Sequence, residues 1–291
     1  MVLSGDGLDQ TSETFILLGF PNHIFNLNVG LGQPGTMSKR AQPAAKMEFS
    51  ITPEGATGCV VVFHEVWGLV GHTEDVCKRV GKLGFAAVAP NLYKGHGELL
   101  TPDNIQAAME GVWALSLDER RDKAKVEREL DRKKVSSEAR EVASVLYEPS
   151  FRDRMLDDAL AAVGRARSKF DRVSTLGFCL GGGLSLKCAA RTRHLVSAVS
   201  FYGQPPAAEE VSRITVPVLD IHAYQDEIIN KSVPAWVGEM LDGGKDLTLK
   251  TYPGTKHGFF NDTRKEVYDR TAAGESWDIT RWFLERTLGR H

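Results

Sequence analysis

The sequence predicts an α/β protein with a mostly parallel, doubly wound sheet and helices on both faces. From about residue 47 onward, short apolar runs alternate with helix-favouring stretches, the rhythm of βαβ units. The run Gly58-Cys59-Val60-Val61-Val62-Phe63 is apolar throughout, as a central strand covered on both faces requires. A second β-branched and apolar run, 173–176, meets Gly177-Phe178-Cys179-Leu180-Gly181-Gly182 and then an apolar helical stretch. That pattern is strand, tight turn, helix.

In chain order, residues 1–45 are rich in Gly, Asn and Pro and have little periodicity. Residues 15–20 could form an edge strand, and 33–46 read as linker, so 1–46 are expected to be an N-terminal extension of a domain at 47–291. A strand at 47–51 turns at Pro53-Glu54-Gly55 into the central strand, which ends at His64-Glu65-Val66-Trp67-Gly68. A helix follows at about 73–83, with Thr73 as N-cap and Gly84 just past its end. The strand at 85–89 ends at Pro90-Asn91-Leu92-Tyr93. Residues 101–170 break the rhythm, because a βαβ crossover needs far fewer residues, and within them 101–150 read as an insertion. They are dense in Glu, Lys, Arg and Ala, with apolar positions such as Val126 and Leu130 at helical spacing. This charged helical insertion is either a set of solvated helices over a sheet edge or a cap beside an active site. A helix at 156–167 leads back to the strand of the tight turn. Strands at 195–201, 216–222 and 247–252 follow, with a helix at 232–241 and a final one at 264–288.

Composition excludes several classes of function. With 291 residues and 42% hydrophobic, the chain can bury a full core, and its net charge of −2 argues against nucleic-acid or membrane-surface binding. No apolar run approaches the roughly 20 residues of a membrane span. The run at 15–20 follows acidic residues and does not resemble a signal peptide. Cys59, Cys77, Cys179 and Cys188 lack C-x-x-C spacing and zinc-type His partners, so metal binding and a disulfide framework are not expected. Reduced thiols in a cytoplasm are the simplest expectation.

The turn at 177–181 has the G-x-nucleophile-x-G form of the nucleophile elbow of α/β-hydrolases, with a thiol at the apex. A thiol there needs a base, an acid to orient the base, and oxyanion donors. In hydrolase chain order, nucleophile then acid then His, Asp226 follows the 216–222 strand and His257 follows the 247–252 strand. All three candidates therefore fall on loops at the carboxyl ends of strands in one sheet, where parallel sheets place their ligands. Glu227 remains a competitor for the acid. Asp220 and His222 lie within a strand and read as buried structural polar groups. Cys59, Cys77 and Cys188 occupy apolar strand or helix positions, where Cys behaves as a small hydrophobe, and His96 reads as a loop residue.

These motifs, together with Phe201-Tyr202-Gly203, Tyr252-Pro253-Gly254 and His257-Gly258-Phe259, resemble the dienelactone hydrolase (carboxymethylenebutenolidase) family. The resemblance runs from about residue 47 to the C-terminus, excepting the insertion, and implies an α/β-hydrolase fold. It also implies that Glu65 sits beside the nucleophile and holds the resting thiol until substrate turns the sulfur toward His257. The implied chemistry is hydrolysis of carboxylic esters or lactones through a thioester, with no metal or organic cofactor. Backbone N–H groups of Leu180 and Val66 are the expected oxyanion hole. The family's substrate-pairing arginines are not matched: Tyr93-Lys94-Gly95-His96 and Phe259-Phe260-Asn261-Asp262 hold none, and the next is Arg264. Lys94 could attract an anion, but one Lys does not replace a bidentate guanidinium. With Trp67, Tyr93, Phe259 and Phe260 as an apolar pocket, the expected substrate is a neutral ester or lactone, turned over by a monomer or homodimer without nucleic-acid or membrane partners. The rival expectation is a non-catalytic hydrolase-fold protein that senses ligands or oxidants through Cys179.

Overall fold

The computed structural model describes residues 47–116 and 119–289. The expected strand at 15–20 and the linker at 33–46 lie outside the described residues. Among the described residues, seven strands form one sheet in the order β1-β3-β2-β4-β5-β6-β7: Glu48–Ile51, Gly58–Phe63, Ala86–Pro90, Arg172–Phe178, Ser197–Phe201, Val218–Ala223 and Leu247–Tyr252 for β1 to β7. Only β1 runs antiparallel, against β3, and every other neighbouring pair is parallel. Such a sheet needs cover on both faces. Along β2, Cys59, Val61 and Phe63 enter one apolar core while Val60 and Val62 enter the other, following the two-residue period of a strand.

Helices α1 (Gly71–Lys82) and α9 (Arg270–Leu288) cover one face. The other is covered by α2 (Pro102–Val112), α3 (Lys123–Arg132), α4 (Ser137–Tyr147), α5 (Pro149–Arg167), α6 (Leu180–Arg191), α7 (Ala208–Val211) and α8 (Val233–Asp242). Several boundaries differ from the expectations. Helix α1 starts at Gly71 with Val70 as N-cap and no side-chain cap, so Thr73 lies inside the helix and is buried. Gly84 does follow the helix end with φ +86°, a conformation that favours glycine. Helix α5 begins at Pro149, seven residues earlier than expected, with proline in its first turn. Helix α9 begins at Arg270 because the Asp269 side chain accepts from the Ala272 N–H at 2.9 Å, leaving 264–269 as turns.

Residues 101–150 form three packed helices and a short 3-10 turn, Glu119–Arg121. Thr101, Asp122 and Ser136 cap α2, α3 and α4 with side-chain oxygens. Ile105, Val112, Leu130 and Val142 are fully buried in the same core as β2 and β4. Helices α2 and α3 approach so closely that a Cβ on Gly111 would lie 2.7 Å from Leu130 Cδ2.

Candidate active site

The elbow is built by glycines that leave no room for side chains. A Cβ on Gly177 would sit 1.9 Å from the Gly181 carbonyl oxygen, and one on Gly181 would sit 2.3 Å from that of Phe63. One on Gly182 would meet the Phe201 oxygen at 2.8 Å. Strand β4 can therefore turn at once into α6, close under β2 and β5. Cys179 takes the corner at φ 54°, ψ −116°, and its N–H donates to Phe201 O at 2.9 Å. A non-glycine residue in such a conformation costs about 1–3 kcal/mol and persists only where the surroundings enforce it. Here β4, α6 and the β5 hydrogen bond enforce it, and the thiol stands at the carboxyl end of the sheet.

Asp226 and His257 converge on that corner. The Asp226 carboxylate is buried, and its Oδ2 bonds His257 Nδ1 at 2.5 Å while Oδ1 accepts from the N–H groups of Ile228 and Ile229 at 3.3 and 3.0 Å. Burial pushes the Asp226 carboxyl upward, but the His257 bond and charge outweigh it and hold the group below its usual value. For His257 burial opposes protonation, yet the Cys179 sulfur, as charge and hydrogen-bond partner, and Asp226 together raise the imidazole well above its usual range. Asp226, His257 and Cys179 thus line one cavity, with Asp226 bonded to the imidazole. Glu227 is exposed at the cavity edge, and Asp226 is the residue that bonds the imidazole.

Glu65 is buried beside this chain, but its partners differ from those the resemblance implies. Tyr202 Oη donates to Oε1 at 3.1 Å and Asn261 Nδ2 donates to Oε2 at 2.5 Å. Both carboxylate oxygens are therefore engaged by side chains other than the thiol. Tyr202, at φ 41°, packs its ring 4.9 Å from that of His257. Sequence reasoning gave no role to Tyr202 or Asn261, since only the fold brings positions 65, 202 and 261 together.

The expected substrate-contacting residues separate into two groups. Trp67, Val66 and Leu180 line the cavity at Cys179, and among the described residues neither the Val66 nor the Leu180 N–H has a protein acceptor. Tyr93, Lys94, Phe259 and Phe260 do not line it. Tyr93 is buried and donates from Oη to Val66 O at 2.8 Å, holding the loop that carries the Val66 N–H. Lys94 pairs with Asp158 on α5 at 2.5 Å. Phe259 and Phe260 lie in the core, with Phe260 against Phe178 and Phe201 and Phe259 against Tyr202 and Tyr252. Arg264 instead reaches the cavity, its guanidinium 5.1 Å from the Trp67 ring centroid and paired with Glu266.

The cavity measures about 1010 Å³, and residues of the 101–150 stretch, among them Met109, Trp113 and Tyr147, line it together with Cys179. Among the described residues, no group of three or more His, Cys, Asp or Glu side chains could hold a metal ion, and no helix is long and apolar enough to cross a membrane. Cys59, Cys77 and Cys188 are buried, which pushes each thiol up to about 12. Asp220 and His222 form a second buried Asp–His pair at 2.7 Å inside β6, where Trp236 Nε1 also donates to Asp220 Oδ2 at 2.9 Å.

The family model of the dienelactone hydrolase family matches residues 48–288. A protein of Saccharolobus solfataricus named "Putative carboxymethylenebutenolidase" is 33% identical over 242 residues, covering 82% of this chain and 93% of its own. "Protein usf" of Aquifex pyrophilus is 30% identical and covers 81% and 91%. Among solved structures, a dienelactone hydrolase-like promiscuous phosphotriesterase, P91, from metagenomic libraries superposes with a TM-score of 0.59 at 22% identity, covering 80% of this chain and 87% of that one, and so supports the fold. With the elbow, the sheet order and a family match across nearly all described residues, the chain belongs to the dienelactone hydrolase family and is a carboxylic ester hydrolase on an α/β-hydrolase fold.

Proposed function

We propose that Cys179 is the nucleophile of a hydrolase of carboxylic esters or lactones that works through a thioester acyl-enzyme. The observation that carries this reading is the Asp226–His257 hydrogen bond in the cavity that the strained Cys179 corner also lines. His257 takes the thiol proton, and Asp226 fixes the imidazole with Nδ1 directed at the carboxylate and the other nitrogen at the sulfur. The thiolate attacks the carbonyl, and the oxyanion is met by the Leu180 and Val66 N–H groups. One amide follows the nucleophile and the other belongs to the loop after β2. The tetrahedral adduct collapses to the thioester as His257 returns the proton to the leaving alkoxide. Water then attacks the thioester with His257 as base, releasing the acid and regenerating the thiol.

Glu65 acts as a positioning residue in this scheme. It fixes Tyr202, and the Tyr202 ring supports His257. The helices at 101–150 serve as a cap that closes the acyl site from water, a role supported by the shared lining of Met109, Trp113 and Tyr147. The four cysteines are free, and a thiol nucleophile suits the reducing cytoplasm. The test is Cys179→Ala assayed with short aryl esters and lactones. Hydrolysis should fall by about 10³-fold or more, and mass spectrometry of the native chain, quenched during turnover, should find an acyl group on Cys179. Undiminished hydrolysis by the variant would overturn the reading.

A further inference from the structure

Beyond the reacting groups, the cavity is lined by cations that the proposed chemistry does not use, among them Arg120, Arg152 and Lys187. Arg120 is only 4% exposed, and donates from Nε to Leu115 O at 3.0 Å and from Nη2 to Trp113 O at 3.4 Å. Arg152 donates from Nε to Leu146 O at 3.2 Å and stacks 5.2 Å from the Tyr147 ring centroid. These partners are carbonyls and a ring, not counter-charges. Burial first, and then the charges of Arg121 and Arg120, hold the Arg152 guanidinium below its ordinary value. Lys187 is likewise lowered by burial, with Arg152 and Arg121 adding to it, while Glu210 opposes the shift and itself pairs with Arg191 at 2.6 Å.

Among the described residues, the carboxylates lining the same cavity are committed elsewhere or lie outside its interior. Glu65 is engaged by Tyr202 and Asn261, Asp226 by His257 and two backbone amides, and Glu227 is exposed. Arg120 is buried and Arg152 and Lys187 are half-buried, each without a carboxylate bonded to it among the described residues; like charges set so are costly, and an anion that satisfies several at once is bound strongly there. The position of the cluster gives a length. Lys187 stands eight residues past Cys179 along α6, on the order of 12 Å at 1.5 Å per residue. Tyr147 is close enough to both ends to be acted on by the Cys179 charge and by Arg120 and Arg152.

We propose that Arg120, Arg152 and Lys187 form an anion-binding subsite, and that the substrate is an elongated ester or lactone carrying a carboxylate or phosphate about 10 Å from its scissile carbonyl. The proposal rests on the reading of Cys179 as nucleophile. It replaces the expectation of a neutral substrate, because the guanidinium groups lacking near Tyr93 and His257 are supplied from other elements. An anionic head in this cluster would leave the scissile carbonyl at the elbow, with Met109 and Tyr147 along the apolar connection.

The test compares the p-nitrophenyl monoester of octanedioic acid with neutral p-nitrophenyl octanoate, and adds an ω-phosphonoalkanoate ester of equal length. The anionic esters should exceed the neutral one in kcat/KM by about 10- to 100-fold. Lys187→Met and Arg152→Gln should each reduce that ratio about tenfold, and Arg152→Lys, which keeps the charge but loses the planar fork, should reduce it less than Arg152→Gln. A larger gain for the phosphono arm assigns the head group as phosphate, and equal or larger gain for the carboxylate assigns it as carboxylate. A ratio near one, with hydrolysis still dependent on Cys179, overturns the subsite alone. Hydrolysis of none of the esters overturns the nucleophile reading, and the subsite is then decided by calorimetry on Cys179→Ala. There, methyl hydrogen octanedioate should bind at least about tenfold tighter than dimethyl octanedioate, and equal binding of the two overturns the subsite.

Discussion

One part of the cavity lining comes from strand ends and tight turns, and another from the faces of helices. The first holds Cys179, Asp226 and His257, each within a few residues of the end of β4, β6 or β7. The second holds Met109, Trp113, Arg120, Tyr147 and Arg152, on or beside α2, α4 and α5. Strand ends are fixed by hydrogen bonds to neighbouring strands, so an atom placed there is held rigidly. Helix faces are held by side-chain packing, which tolerates exchange of one apolar or charged residue for another. On the proposed reading, the reacting groups sit on the rigid part and substrate selection on the adaptable part.

Replacing the acid of each Asp–His pair is the strongest way to break this comparison. Asp226→Asn should lower kcat by about 10³–10⁴-fold, because the imidazole loses its fixed tautomer. Asp220→Asn removes a carboxylate of the same kind, bonded to a histidine at a similar distance, but inside β6 and away from the cavity lining. It should leave kcat within about tenfold and instead cost about 1–3 kcal/mol of stability through the weakened contacts to His222 and Trp236. Steady-state kinetics and denaturant unfolding separate the two outcomes. Equal catalytic losses would mean that the second pair also acts in the reaction.

The contrast between the two parts of the lining also explains how much was legible in the sequence. The elbow was readable because Gly177, Gly181 and Gly182 are each demanded by a backbone contact, and such demands leave a fixed spacing. The pairing of Asp226 with His257 was readable from chain order and strand ends. The cation cluster was not. Glu119-Arg120-Arg121-Asp122-Lys123 looks like a solvated run, and only the packing of the surrounding helices buries Arg120 while leaving Arg121 exposed. Phe259 and Phe260 failed in the opposite sense, since an aromatic pair after a catalytic histidine serves a pocket or a core equally well. Lys94 faced a partner, Asp158, 64 positions away, which no local pattern reveals.

A core substitution in the insertion sharpens the division between holding and selecting. Leu130 is fully buried and lies where α3 meets Gly111 of α2. Leu130→Ala should cost about 2–5 kcal/mol, depending on how far the helices close on the void. If the insertion behaves as an adaptable wall, the same variant should alter the relative kcat/KM for long and short acyl esters more than it alters turnover of an acetyl ester. A uniform fall for every ester would show that the insertion also positions the reacting groups.

The smallest expected effect concerns pH, and it separates the two Asp–His pairs again. Burial opposes the charge on His222, but Asp220 at 2.7 Å outweighs it and raises the imidazole above its ordinary value. A raised histidine binds more protons folded than unfolded, so its stabilisation is complete below the unfolded value near 6.5 and is lost as pH rises through the folded one. His257 is raised too, and its contribution has the same sign. The native chain should therefore lose stability as pH climbs from about 6 into the alkaline range, for two reasons that one melting curve cannot distinguish. Asp220→Asn removes one reason and leaves the other. The gap in Tm between native and variant chains should be widest near pH 6 and narrow as pH rises, whereas a gap that stays constant would mean that His222 is neutral in the folded protein at every pH tested.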